Sequence, residues 1–337
     1  MVFRIESRAV KDVAVVLSEL LHRLRVGTVN RRTQIFQSRK QAHFLQYRDL
    51  TILFSLNNGG QLYIFPAVLT VIMAFTDLDK SFIWKFAGLK NFERVFRDPN
   101  TMTILRNTAI YVGVCILSVL VIDLMFAVLT THFIKTERTS SFFKGVLMIP
   151  MITPAVVYSV LWIWLLGSTA NGALNQLYML VSGASAPVNW IARYPMQVVI
   201  IAKLVTSIAY GTTIFSSAIN SIPENQFKAA RVDGAKEWEV VRSIILPNLR
   251  FHIMFIALWE TLGLLTDYTT ILLITDGGPG VSSEVWALSA YHKAFINGKY
   301  GYGAAISLIL IAMVLILMIA ISGINARMER RERNDAA

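Results

Sequence analysis

The sequence predicts an all-α fold, a polytopic bundle of about six transmembrane helices. Three observations carry that expectation. Of the 337 residues, 55% are hydrophobic and only 16% charged, whereas soluble chains run nearer 45–50% and about 25%. The apolar residues arrive in long runs. The charges fall almost entirely between those runs. Such a composition excludes a disordered chain and does not suit an ordinary soluble enzyme. The net charge of +11 would fit either nucleic acid or an anionic membrane surface, and its placement between apolar runs selects the membrane.

A hydrocarbon core about 30 Å thick needs roughly 20 helical residues. Five segments reach that length: Ile110 to Phe133, Phe142 to Leu166, Met196 to Ile219, Ile253 to Ile274 and Gly303 to Ile324. A sixth, Leu62 to Phe75, has 14 mostly apolar residues and reaches span length only by extending back across Asn57 to Gln61 toward Thr51. Continuous runs of this length do not suit barrel strands, which alternate over about 10 residues. Ahead of them, residues 1–50 form a basic extension. Within it, Val13, Val16, Leu17, Leu20, Leu21 and Leu24 place an amphipathic helix over Ala9 to Arg25, either lying on the inner leaflet or belonging to a plain cytoplasmic extension. No secretory signal pattern is present. Residues 51–325 are the membrane domain, and 326–337 a basic tail.

Basic residues set the orientation. Alternate connections and termini carry 22 Lys and Arg on one side and 9 on the other. The richer side is cytoplasmic. Both termini and the connection from Asn220 to Arg250 are then inside.

That connection, residues 221–250, exceeds the usual 2–8 residues between bundle helices. Pro223 and Glu224 start a helix, Asp233-Gly234 is a turn, and a second short helix runs from about Ala235 until Pro247 closes it. A helical hairpin this small cannot bury its own apolar face, so either the inner ends of the bundle or a partner must cover it. Lone Cys115 lies in an apolar run and reads as a small buried hydrophobe. The five histidines show no ligand spacing, and no catalytic or metal site is expected. No G-x-x-x-x-G-K-[ST] occurs. Ionisable groups inside spans usually face a cavity or a partner. Asp123, Lys203, Glu260 and Asp267 are such groups, and Glu260 and Asp267, seven apart, would share a helix face. Two readings stand: a substrate pathway of Trp259, Glu260, Asp267 and Tyr268, or an internal pair such as Lys203 with Glu260.

The hairpin resembles the EAA loop of the membrane subunits of binding-protein-dependent ABC importers. Lys228-Ala229-Ala230, then Gly234, then Ile244-Ile245-Leu246-Pro247 have its spacing, and Ile222-Pro223-Glu224 and Val232-Asp233-Gly234-Ala235 resemble the carbohydrate-uptake branch, the maltose- and glycerol-phosphate-type permeases. Phe86 to Phe92, Leu105 to Thr108, Pro150, Pro154, Asp276 to Gly280 and Gly301 to Ala305 resemble further motifs of that branch in order. The resemblance implies a type I importer permease in a bacterial or archaeal inner membrane, importing a di- or oligosaccharide, an acidic oligosaccharide or a glycerol-phosphate-like solute. It implies an ATP-binding subunit dimer, a second similar permease and a periplasmic or lipid-anchored solute-binding protein as partners, with no nucleic acid. ATP and Mg would be bound by the ATPase, and this chain would bind no cofactor and catalyse nothing. Pro223, Glu224, Lys228, Ala229, Ala230, Asp233, Gly234, Ala235, Ile244, Leu246 and Pro247 would form the ATPase-coupling loop. Lys228 stands where the family carries an acid. The competing classes are a secondary transporter, which the lack of an internal repeat disfavours, and an intramembrane enzyme, which would need Glu260 and Asp267 as its paired groups.

Overall fold

The runs of apolar sequence become helices because only a closed hydrogen-bond ladder satisfies backbone polar groups in lipid. A computed structural model describes residues 64–335. The amphipathic helix expected in the first fifty residues, and the start of the first span, lie outside them. In order, the helices are α1 (Phe65–Ala74), α2 (Lys90–Arg97), α3 (Thr101–Phe133), α4 (Glu137–Ile152), α5 (Ala155–Leu165), α6 (Ala173–Ser182), α7 (Pro195–Asn220), α8 (Glu224–Val232), α9 (Glu237–Thr266), α10 (Thr269–Ile274), α11 (Trp286–Tyr291) and α12 (Tyr300–Asp335). Two further helical turns are Trp190–Arg193, which precedes α7, and the π-helical His292–Ile296, which directly follows α11. Helices α3, α7, α9 and α12 are each long and apolar enough to cross a membrane.

Two expected spans are broken. The run Phe142 to Leu166 is the pair α4 and α5, bent by 96°. Pro154 sits in an extended conformation at the break, with Pro150 inside the last turn of α4. A proline removes one backbone donor and crowds the preceding turn, so a sharp bend there has an identifiable cause. The run Ile253 to Ile274 stops at Thr266, where Asp267 leaves the helical region (φ −73°, ψ 109°), and restarts as α10. Helix α12 continues past the expected span end at Ile324 to Asp335, so residues 326–335 of the basic tail are helical.

Of the described residues, 69–335 form one unit. Within it, two apolar clusters occupy opposite halves. One contains Tyr111, Cys115, Val199, Ala202, Leu264, Ile271 and Leu288; the other contains Ala127, Phe215, Ile219, Ile222, Val241, Ile245, Leu249 and Ile256. The motif residues pin the chain around these clusters. Asn91, fully buried, donates to the carbonyls of Ala74 (3.0 Å), the last residue of α1, and Thr76 (2.7 Å), just beyond it. Asn107 donates to Val281 and Glu284 carbonyls, and the Trp286 amide donates to Thr108, so α3 is stitched to the connection before α11. Gly301 has no room for a side chain, because a Cβ there would collide with the Thr76 carbonyl.

Candidate functional site: the helical hairpin and the polar groups of the bundle

Helix α8 begins after Pro223, which supplies a fixed φ where no backbone donor is needed, with Glu224 in its first turn. It ends in a Schellman-type closure. The Ala235 amide donates to the Ala230 carbonyl (2.9 Å) and the Gly234 amide to the Arg231 carbonyl (3.2 Å). Gly234 holds φ +72° with open space on its Cβ side. Its glycine is therefore required by the left-handed backbone and not by crowding. The chain then reverses, and the Lys236 amide donates to the Glu239 carboxylate (2.7 Å), half of a capping box at the start of α9.

Pro247 does not close the second helix. Helix α9 runs unbroken from Glu237 to Thr266, and a π-helical turn over Val241–Ile245 immediately precedes Leu246 and Pro247. A wider turn moves the carbonyls that an α-helical proline ring would strike, so Pro247 is accommodated inside the helix. The hairpin's second arm is thus continuous with a membrane span.

The hairpin is covered on one side only. Ile222, Val241 and Ile245 are core residues of the second cluster, with Phe227, Ile244 and Leu246 packed on it. Asn248 donates to Gln226 (3.2 Å), tying the two arms together. On the other side Val232 is 87% exposed and Trp238 68%, while Ala229 and Asp233 are also exposed. Lys228 lies 3.2 Å from Glu224 one helical turn earlier, both exposed. The charge that departs from the family pattern is therefore paired within its own helix.

Deeper in the bundle, Asp267 sits in the break between α9 and α10. Its Oδ2 receives Lys203 Nζ, Tyr111 Oη and Thr270 Oγ1, each at 3.0 Å, and its Oδ1 receives the Thr270 amide at 3.3 Å. The internal pair is Lys203 with Asp267, not Lys203 with Glu260. Because the helix ends at Thr266, Glu260 and Asp267 do not share a helix face as their spacing predicts. Glu260 remains on α9 and makes no hydrogen bond or ion pair among the described residues. Beside it, Trp259 is 55% exposed and lies between Tyr210 and Phe255, with near-parallel rings at 6.5 and 6.4 Å. Tyr268 stacks on Tyr291 at 5.0 Å and lines a cavity of about 390 Å³ with Phe295, Tyr300, Gly303 and Ser307. The four expected pathway residues thus divide among three environments. Among the described residues no group of His, Cys, Asp and Glu could hold a metal ion.

Residues 123–334 match the family described as binding-protein-dependent transport system inner membrane component. The chain belongs to that family. It is a multi-pass permease component and not an enzyme. A probable ABC transporter permease protein of Sinorhizobium fredii is 32% identical over 68% of this chain and 73% of its own length. One of Pyrococcus horikoshii is 28% identical over 82% and 94%. The lactose transport system permease protein LacF of Rhizobium radiobacter is 24% identical over 75% and 89%. The fold matches a crystal structure of a bacterial ABC transporter involved in the import of the acidic polysaccharide alginate, with a TM-score of 0.73 at 16% identity, covering 87% of this chain and 99% of that one.

For this permease, the hairpin residues singled out in the sequence lie together on α8, the turn after it and the first turns of α9. Tyr111 and Thr270, which complete the Asp267 site, carry no motif, and neither does His132, whose partner lies 105 residues away. Such long-range partners leave no periodic or spacing signal.

Proposed function

We propose that the chain is one permease half of an ABC importer for a carbohydrate. In this reading the hairpin of α8 and the start of α9 docks on an ATP-binding subunit that binds ATP and Mg. A second permease completes the pathway, and a solute-binding protein delivers the substrate outside. The observation that carries it is the one-sided hairpin, fixed to the bundle by Ile222, Phe227 and Val241 yet presenting Val232 and Trp238 outward. Exposed apolar anchors beside charges are what a docking element needs. Pro223, Glu224, Lys228, Ala229, Ala230, Asp233, Gly234, Ala235, Ile244, Leu246 and Pro247 form and support that element. The hairpin faces the cytoplasm, in keeping with the basic count.

The substrate class rests on two supports. A relative is named for lactose transport and a fold neighbour for alginate import. The exposed Trp259, flanked by Tyr210 and Phe255 and followed by Glu260, offers an aromatic face for a sugar ring and a carboxylate for its hydroxyls. Tyr268 offers a second aromatic surface, and Asp267 serves the pathway by fixing the helix break. Reconstitution of this permease with its ATPase, partner permease and binding protein in vesicles tests it. Carbohydrate uptake should require ATP and should fall at least tenfold in Trp259→Ala. Uptake without any ATPase subunit would refute the importer reading; ATP-driven uptake of only non-carbohydrate solutes would refute the substrate class.

A further inference from the structure

Helix α3 and helix α9 run antiparallel and are tied at both ends by side chains. At one end Tyr111 of α3 donates to Asp267, the residue that terminates α9. At the other, His132 Nε2 of α3 lies 2.6 Å from Oε2 of Glu237, the first residue of α9. The His132 ring is 8% exposed, stacks on Phe227 of α8 (5.8 Å, 28°) and meets Phe133 edge-on (5.2 Å). The ring sits in a π-helical turn, Leu129–Phe133, which ends α3, and the Lys135 ammonium donates to the His132 carbonyl at 2.8 Å. One imidazole therefore touches both arms of the hairpin and belongs to neither.

We propose that His132 is a positioning residue that clasps the hairpin to α3. When the hairpin is displaced, α3 moves with it, and the displacement reaches the Tyr111–Asp267 tie at the opposite end. The physical basis is the combination of contacts. A nearly buried ring hydrogen-bonded to a carboxylate and stacked on Phe227 has little freedom to slip, and the carboxylate fixes Nε2 as the donating nitrogen. Without the clasp, the hairpin retains its apolar packing on the second cluster, and its motion reaches α3 only through the non-directional contacts with Ala127 and Val128 there. This inference rests on the hairpin being the ATPase-coupling element.

Two measurements test it. The first uses the reconstituted complex and reads carbohydrate imported per ATP hydrolysed. His132→Ala and Glu237→Ala should each lower that ratio about fivefold or more, the lower end of ordinary site-to-site coupling, with the complex still assembled. His132→Gln, whose amide nitrogen occupies the place of Nε2, should restore most of it, and the double Ala variant should be no worse than either single. An unchanged ratio in His132→Ala, or additive losses in the double variant, overturns the proposal. The second needs no substrate. Spin labels at Leu129→Cys and Val232→Cys in a Cys115→Ser chain should give one narrow distance distribution, which broadens in His132→Ala and narrows again in His132→Gln. An identical distribution in His132→Ala overturns the clasp. Failure of carbohydrate uptake in the unaltered complex, with the spin-label result as expected, counts against the function reading and leaves the clasp standing.

Discussion

Removing either partner of the Lys203–Asp267 pair should be far more damaging than removing both. Asp267 is 9% exposed and Lys203 21%, and their charges lie 3.0 Å apart. At an effective dielectric near 20, two unit charges at that distance attract by about 5.5 kcal/mol. Most of that offsets desolvation, so breaking a buried pair by truncating one member costs about 3–5 kcal/mol, while replacing both by apolar residues is often neutral. The two truncations are not equivalent. Lys203→Met leaves Asp267 with hydrogen bonds from Tyr111 and Thr270. Asp267→Leu strands the ammonium and removes the acceptor that closes the α9–α10 break. The expected order of destabilisation is Asp267→Leu, then Lys203→Met, then the double variant. Unfolding midpoints of the detergent-purified chain would measure it. The coupling energy from the double-mutant cycle should exceed about 2 kcal/mol, against roughly 0.6 for an ordinary interhelical hydrogen bond in a membrane protein. A double variant as unstable as the sum of its singles would refute the reasoning.

Gly234→Val should uncouple ATP hydrolysis from uptake while the protein still inserts, because a β-branched residue at φ +72° costs at least about 1–2 kcal/mol, and Gly234→Asn should be tolerated; transport assays alongside ATPase rates distinguish these. Lys228→Glu should retain less ATPase on the purified complex than Lys228→Ala, with the gap closing at high salt. Its helix effect alone, loss of the pair with Glu224 plus a like-charge repulsion of similar size, is under about 1 kcal/mol, so equal retention at low salt would leave Lys228 without an acidic partner on the ATPase. Asp98, in the connection before α3, is raised by burial but lowered more strongly by the Asn100 amide and by Lys293 Nζ at 3.2 Å, so its carboxyl titrates below the ordinary 3.8. A depressed acid contributes stability above its unfolded value and loses it as pH falls through the folded value. Thermal midpoints should therefore fall below about pH 4, and Asp98→Asn should flatten that part of the profile.

What the sequence made legible followed from local rules. Apolar runs located the spans, Pro150 and Pro154 marked the span that bends, and Asp233-Gly234 marked the turn whose backbone proves left-handed. Local rules failed where tertiary geometry intervened. Pro247 normally ends a helix, yet a π-helical turn carries α9 past it. Seven-residue spacing aligns Glu260 with Asp267 only while the helix lasts, and it stops one residue short. The sequence offers Lys203 with Glu260 as an internal pair, whereas in the structure Lys203 meets Asp267 at the break that ends α9. His132 has its partner at Glu237, and nothing in the intervening sequence marks the meeting. The amphipathic helix expected near the N-terminus lies outside the described residues.

The continuity of α9 also sets a scale for motion. At about 1.5 Å per residue, the stretch from Glu237 to Thr266 is a rod roughly 45 Å long. Tilting such a rod by about 5° around one tip swings the other through about 4 Å, a distance greater than the 3.0 Å that separates Lys203 from Asp267. A rotation that displaces each turn by only about 0.5 Å relative to the next is thus large enough, at the far tip, to exchange the partners of a charged group.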